Sequence, residues 1–133
     1  MYFIELINVT GRDQAGLTAM LTDRLAGANV MILDMGQAVI HDFLTLGLMI
    51  RCETGREEVI DDLARVFHER GLVVSRTRVA EEDYDAWVQR QGQSRTILTL
   101  LARSISADQL AVISKLIADA GLNIDHINRL SGR

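Results

Sequence analysis

Within the first 79 residues the hydrophobic pattern changes period in the order strand, helix, strand, strand, helix, strand, and few folds accept that order. Tyr2-Phe3-Ile4-Glu5-Leu6-Ile7-Asn8-Val9 is β-branched and aromatic enough for a strand, although its alternation is imperfect. Residues 10–16 carry two glycines and are expected to turn. Leu17, Leu21, Leu25 and Ala28 then recur at helical spacing, which predicts a helix over residues 16–27. Asp13 is its candidate N-cap, and Asn29 is expected to close it in the left-handed conformation that Asn tolerates. Residues 30–40 and 43–52 flank the two-residue polar break His41-Asp42, the pattern of a β-hairpin. Val59, Ile60, Leu63, Val66 and Phe67 mark a second amphipathic helix that stops at Gly71. In residues 72–79, Val73, Ser75, Thr77 and Val79 alternate against Arg76 and Arg78, as in a fourth strand. The fold class is α+β: a ferredoxin-like β-α-β-β-α-β unit over residues 1–79, a four-stranded sheet with both helices on one face.

Residues 80–93 are a polar connector in which Glu81-Glu82-Asp83 could start a short helix that tucks Tyr84 and Trp87 against a neighbour. The pattern then restarts over residues 94–133. A strand is expected at 96–103, a helix carrying Leu110, Ile113, Leu116, Ile117 and Ala120 with Gly121 as its cap, and another strand through Leu122, Ile124 and Ile127. At an offset of 92, Leu21 falls on Ile113, Leu25 on Ile117, Asn29 on Gly121 and Val30 on Leu122. Apolar matches are cheap, but Asn29 and Gly121 share a tolerance of positive φ at a helix end. Residues 94–133 therefore read as a second, truncated β-α-β copy, joined to the first by the 80–93 linker.

Composition narrows the functional classes. One cysteine excludes an internal disulfide framework, and with three scattered histidines it leaves no zinc set. A net charge of −4 argues against a nucleic-acid binder, which needs a clustered basic surface. No apolar run approaches the ~20 residues of a membrane-spanning helix, and no secretory leader is visible, so a cytoplasmic location without a membrane partner is expected. Searches for chemistry return little. Gly11 and Gly16 are not followed by the Gly-Lys-Ser/Thr of a phosphate loop, and no G-x-G-x-x-G occurs. Cys52 has no histidine nearby in sequence, which suits a buried thiol better than a nucleophile. No catalytic residues are assigned and no activity is expected of this chain. One candidate site remains: a strand entering Gly11-Arg12-Asp13-Gln14-Ala15-Gly16 and then a helix at Leu17 presents backbone N–H groups and a positive helix end to a small anion. The plainer alternative is a helix cap and a glycine turn.

The runs Thr10-Gly11-Arg12-Asp13 with Gly16-Leu17-Thr18-Ala19, Asp34-Met35-Gly36-Gln37-Ala38-Val39-Ile40-His41-Asp42, Glu81-Glu82-Asp83-Tyr84 with Trp87-Val88, and Leu122-Asn123-Ile124-Asp125 with Arg129-Leu130-Ser131-Gly132-Arg133 give the chain a family likeness. It resembles the ACT domain superfamily, and within it the N-terminal regulatory region of long bacterial phosphoserine phosphatases. The resemblance implies amino-acid binding, serine or another small amino acid, at Gly11, Arg12, Asp13, Gln14, Ala15, Gly16 and Leu17, with Asn123 as the counterpart in the second copy. The unpaired strand edges of a half unit point to a homo-oligomer, a dimer by default, with Leu98, Leu100, Leu122, Ile124, Ile127, Tyr84 and Trp87 at the seam. The competing outcome is a monomer in which residues 94–133 dock onto the first sheet. The family's proline falls at Ala15 and the first copy has Met31 where the second has Asn123. The phosphatase chemistry implied by the resemblance uses an Asp-x-Asp nucleophile and magnesium in a haloacid-dehalogenase domain. This chain is read as lacking that motif, needing no cofactor of its own, and being a piece of a longer protein in L-serine biosynthesis. A free-standing ACT regulator resembling the glycine cleavage system transcriptional repressor is the alternative.

Overall fold

Residues 2–12 remain extended because Gly11 lets the first strand run past its apolar stretch, so β1 is Tyr2–Arg12 and the turn expected from residue 10 begins only after residue 12. The computed structural model describes residues 1–91 and 95–130. After β1 come α1 (Leu17–Gly27), β2 (Met31–Ile40), β3 (Phe43–Glu53), α2 (Glu58–Glu69), β4 (Val73–Val79), α3 (Glu81–Arg90) and α4 (Ala107–Asp119). The chain divides into two compact units, Met1–Gln93 and Ser94–Arg133.

In the first unit the four strands form one antiparallel sheet in the order β2-β3-β1-β4. The β2–β3 hairpin turns at His41-Asp42, where His41 takes φ 57. On one sheet face Phe3, Ile7 and Val9 of β1 stand beside Leu44, Leu46, Leu48, Ile50 and Cys52 of β3. Leu17, Leu21 and Leu25 of α1 and Ile60, Leu63 and Phe67 of α2 join them in a single buried cluster, so both helices cover that face. The β-α-β-β-α-β unit expected from the period changes is the fold observed.

Of the four helices among the described residues, α1, α2 and α4 end by one rule, whereas α3 ends at Gln91 with φ −67. Asn29 has φ 58, Gly71 φ 82 and Gly121 φ 75. After α1, the N–H of Asn29 donates to Ala26 and that of Val30 to Leu25. After α2, Gly71 donates to His68 and Leu72 to Phe67. After α4, Gly121 donates to Ala118 and Leu122 to Ile117. These paired bonds satisfy carbonyls that a helix otherwise leaves open.

Two local features depart from expectation. β2 contains a bulge: Ile32 pairs with Ile50 and Asp34 with Met49, leaving Leu33 without a partner on β3. In β4 it is Val74, Arg76 and Arg78, not the Val73 side, that share the helix-covered face, in register with Val9, Ile7 and Glu5.

The second unit contains α4, started by Ser106, whose side chain accepts from the Gln109 N–H while Gln109 returns a bond to the Ser106 N–H. The strands expected at 96–103 and after Leu122 do not form: among the described residues of this unit α4 is the sole regular element. A helix satisfies its own backbone, whereas a strand needs a partner ladder.

Candidate functional site

The segment between β1 and α1 builds an open depression of about 350 Å³, lined by Asp13, Gln14, Ala15, Gly16, Leu17, Thr18 and Ala19 with Gln37 and Leu44 across from them. Gly11 is not among the lining residues and precedes the first of them, Asp13, by two positions. It has φ +152, and a Cβ there would lie 2.6 Å from Leu72 Cδ2, so backbone and the buried Leu72 side chain press together where β1 leaves the sheet. The Asp13 N–H donates to the Asp42 carbonyl at 2.8 Å, tying the loop to the hairpin turn.

α1 begins at Leu17 with Gly16, φ 86, in the N-cap position and no side chain capping it. This corrects the expectation for Asp13: its carboxylate does not cap the helix. The first intrahelical bond runs from the Met20 N–H to Gly16 at 2.9 Å, and the N–H groups of Leu17, Thr18 and Ala19, which line the depression, have no partner among the described residues. With no acidic residue in that turn, the positive helix end is not neutralised locally. Asp13 is the single charged residue among those lining the depression. A carboxylate and an uncapped helix N-terminus thus border the same open space, a pairing that suits the ammonium and carboxylate of a zwitterion.

The other sequence-derived residues divide. Ala15, Gly16 and Leu17 line the depression. Gln14 also lines it, but its amide donates to the Arg70 carbonyl at 3.0 Å, anchoring the loop to the end of α2. Arg12 is not part of the depression; its guanidinium carbon lies 5.4 Å from the Phe43 ring centroid on the opposite sheet face. Gly11 acts through the backbone. Asn123 belongs to the second unit, where it is exposed after α4. Two residues escaped the sequence reading: Thr18, whose hydroxyl donates to Gln37 Oε1 at 2.8 Å, and Gln37 itself. The bulge at Leu33 places Gln37 on the helix-covered face, a shift that simple alternation from Ile32 does not reveal.

Catalytic groups do not gather. Cys52 is buried with its Sγ 3.8 Å from the Arg56 carbonyl, and burial pushes its pKa up, away from thiolate chemistry. The Asp-x-Asp spacing does occur once, at Asp83-Tyr84-Asp85, correcting the reading that it is absent. It lies inside α3 with both aspartates exposed, where residues two apart point away from one another. Among the described residues no three His, Cys, Asp or Glu side chains converge as metal ligands would, and no helix is long and apolar enough to cross a membrane.

The sequence profile of the ACT domain matches residues 4–77. The chain is 36% identical over 129 residues to phosphoserine phosphatase SerB2 of Mycobacterium tuberculosis, covering 95% of this chain and 30% of that protein. It is 31% identical over 128 residues to phosphoserine phosphatase of Streptomyces coelicolor, with 95% and 30% coverage. The chain therefore spans about 30% of the length of these curated relatives. Among solved structures, one described as a proposed glycine cleavage system transcriptional repressor superposes with a TM-score of 0.57 at 18% identity, over 62% of this chain and 49% of that one. At that identity the likeness concerns the fold.

Proposed function

The chain belongs to the ACT domain family, and from that premise we propose that it is the amino-acid-sensing and oligomerising region of a cytoplasmic phosphoserine phosphatase, with serine as its ligand. The observation that carries the reading is the near-complete coverage of this chain by two phosphoserine phosphatases, at 36% and 31% identity. The depression at the β1–α1 junction supports it with the right chemistry: open N–H groups for a carboxylate, Asp13 for an ammonium, and Thr18 with Gln37 as polar groups of neutral charge for a hydroxymethyl side chain. Residues 94–133 are, in this proposal, the opening of a second ACT module. Its helix ends in the same bond pattern as α1, at the position the 92-residue offset assigns. The free-standing regulator draws on fold likeness to the repressor structure alone, and that likeness does not distinguish functions.

Calorimetric titration of the 133-residue chain with L-serine and glycine tests the ligand. Saturable millimolar binding of serine, weakened about tenfold or more by Asp13→Ala, is expected, since a charge-assisted hydrogen bond is worth about 1.5–3 kcal/mol. Silence with serine, or unchanged binding by the variant, rejects the site.

A further inference from the structure

A second depression lies near the opposite end of β1, about 30 Å from the first along the strand at ~3.4 Å per residue. It measures about 850 Å³, and Tyr2, Val30 and Met31 give it an apolar wall. Met1, Asn29, Arg51 and Glu81 complete it. Arg51 stands on the sheet face away from α1 and α2, in register with Ile4, and both of its contacts are to α3: Nη2 donates to Glu81 Oε2 at 3.3 Å, and its guanidinium carbon lies 5.4 Å from the Tyr84 ring centroid. Arg51 Nε and Nη1 and Glu81 Oε1 find no further partner among the described residues. The side chains are 28% and 50% exposed, so a cation and an anion sit side by side, partly withdrawn from water, each with bonding capacity in reserve.

We propose that this depression is a second ligand site, for an α-amino acid with an apolar side chain. The ligand's carboxylate accepts from Nη1 and from the second N–H of Nη2 of Arg51, the fork geometry that guanidinium groups offer carboxylates. Its ammonium donates to Glu81 Oε1, and its side chain covers the exposed surfaces of Tyr2 and Met31 beside Val30. A ligand so placed bridges β3 and α3. No residue of α3 is fully buried, so the bridge would strengthen the helix's attachment to the sheet at its first turn. The site is independent of the Asp13 depression and asks for a different side chain.

Trp87 is the only tryptophan of the chain and sits on α3 with its ring 5.8 Å from that of Tyr84, so its fluorescence reports on this helix. The full chain is titrated with L-leucine, with 4-methylpentanoate, which lacks the ammonium, and with isoamylamine, which lacks the carboxylate. Leucine is expected to give a saturable change in Trp87 emission, with both analogues weaker by about tenfold or more. Arg51→Met and Glu81→Gln should each weaken leucine by about the same factor, while Asp13→Asn leaves it unchanged. Glu81 lies on an exposed helix surface, so its variant decides the matter if Arg51→Met does not fold. Absence of a saturable leucine response in the parent chain, wild-type affinity in Glu81→Gln, or loss of binding in Asp13→Asn each overturns the site.

Discussion

Gly11 is where β1 is squeezed between two demands, a φ of +152 and the side chain of Leu72 below it. Gly11→Ala must both adopt a backbone angle that L-residues avoid and displace a buried leucine, and it should destabilise the chain by about 1–3 kcal/mol. Urea denaturation checks this; a change within a few tenths of a kcal/mol would show that the loop gives way freely. Cys52 makes a pH prediction. Burial raises its folded-state pKa above the ordinary 9.0, with Arg56 lowering it less. Below pH 9.0 the stabilisation is fully present; above it the unfolded thiol ionises first, so stability falls until the folded pKa is passed. Cys52→Ala should therefore lose stability less steeply than the parent between neutral and strongly alkaline pH. Equal slopes in urea midpoints across that range would refute the assignment. At this scale the sequence was partly legible. The glycines and Asp13 announced a loop, but whether Asp13 caps α1 depended on Gly16 taking the N-cap position, a backbone outcome that residue types do not dictate.

Among the elements, β4 was the strand whose facing the sequence concealed. Alternation set Val73 apart from Arg76, yet Arg76 lies on the covered face because Glu5, 4% exposed, waits there on β1. Arg76 Nε donates to Glu5 Oε1 at 2.6 Å, and Nη1 donates to Asp61 of α2 at 2.5 Å, so one guanidinium joins β1, β4 and α2. The Glu5 bond raises the arginine's pKa further and keeps it charged at any working pH. Arg76→Met leaves Glu5 buried without its cation and should cost about 3 kcal/mol or more, whereas Glu5→Leu with Arg76→Met should recover most of the loss. Chemical denaturation of the single and double variants measures this; equal losses in both would mean the ion pair is not what joins the three elements. Glu5 had already interrupted the apolar pattern of β1, but its partner lies 71 residues away in sequence. Helices and the hairpin were legible because their signals are local; the pairing of a buried charge is not.

For the whole molecule, the two sheet edges differ. β4 presents Arg76 and Arg78, and charge on an edge strand discourages further pairing. β2 exposes Met31, Ile32, Met35, Val39 and Ile40, the last at 80%. The second unit exposes Ile97, Leu101, Leu116, Ile127 and Leu130. Its helix and cap were legible in the sequence, whereas the strands expected of a second copy do not form, since a ladder is the property of two segments. So much uncovered apolar surface favours association, and a dimer is expected. Sedimentation equilibrium should find twice 14.8 kDa; a constant 14.8 kDa over about a hundredfold concentration range, wide enough to shift any ordinary association, excludes it.

The bulge in β2 carries a consequence for how this strand can change length. Losing one residue from a strand ordinarily swaps inside for outside in everything beyond the cut. Leu33 has nothing opposite it, so the chain already counts one residue more on β2 than on β3. Excising Leu33 leaves Ile32 facing Ile50 and Asp34 facing Met49, and Gln37 keeps its side of the sheet. At this one position the strand has a spare residue: a three-nucleotide deletion there, alone along β2, preserves the reading of inside and outside all the way to the hairpin.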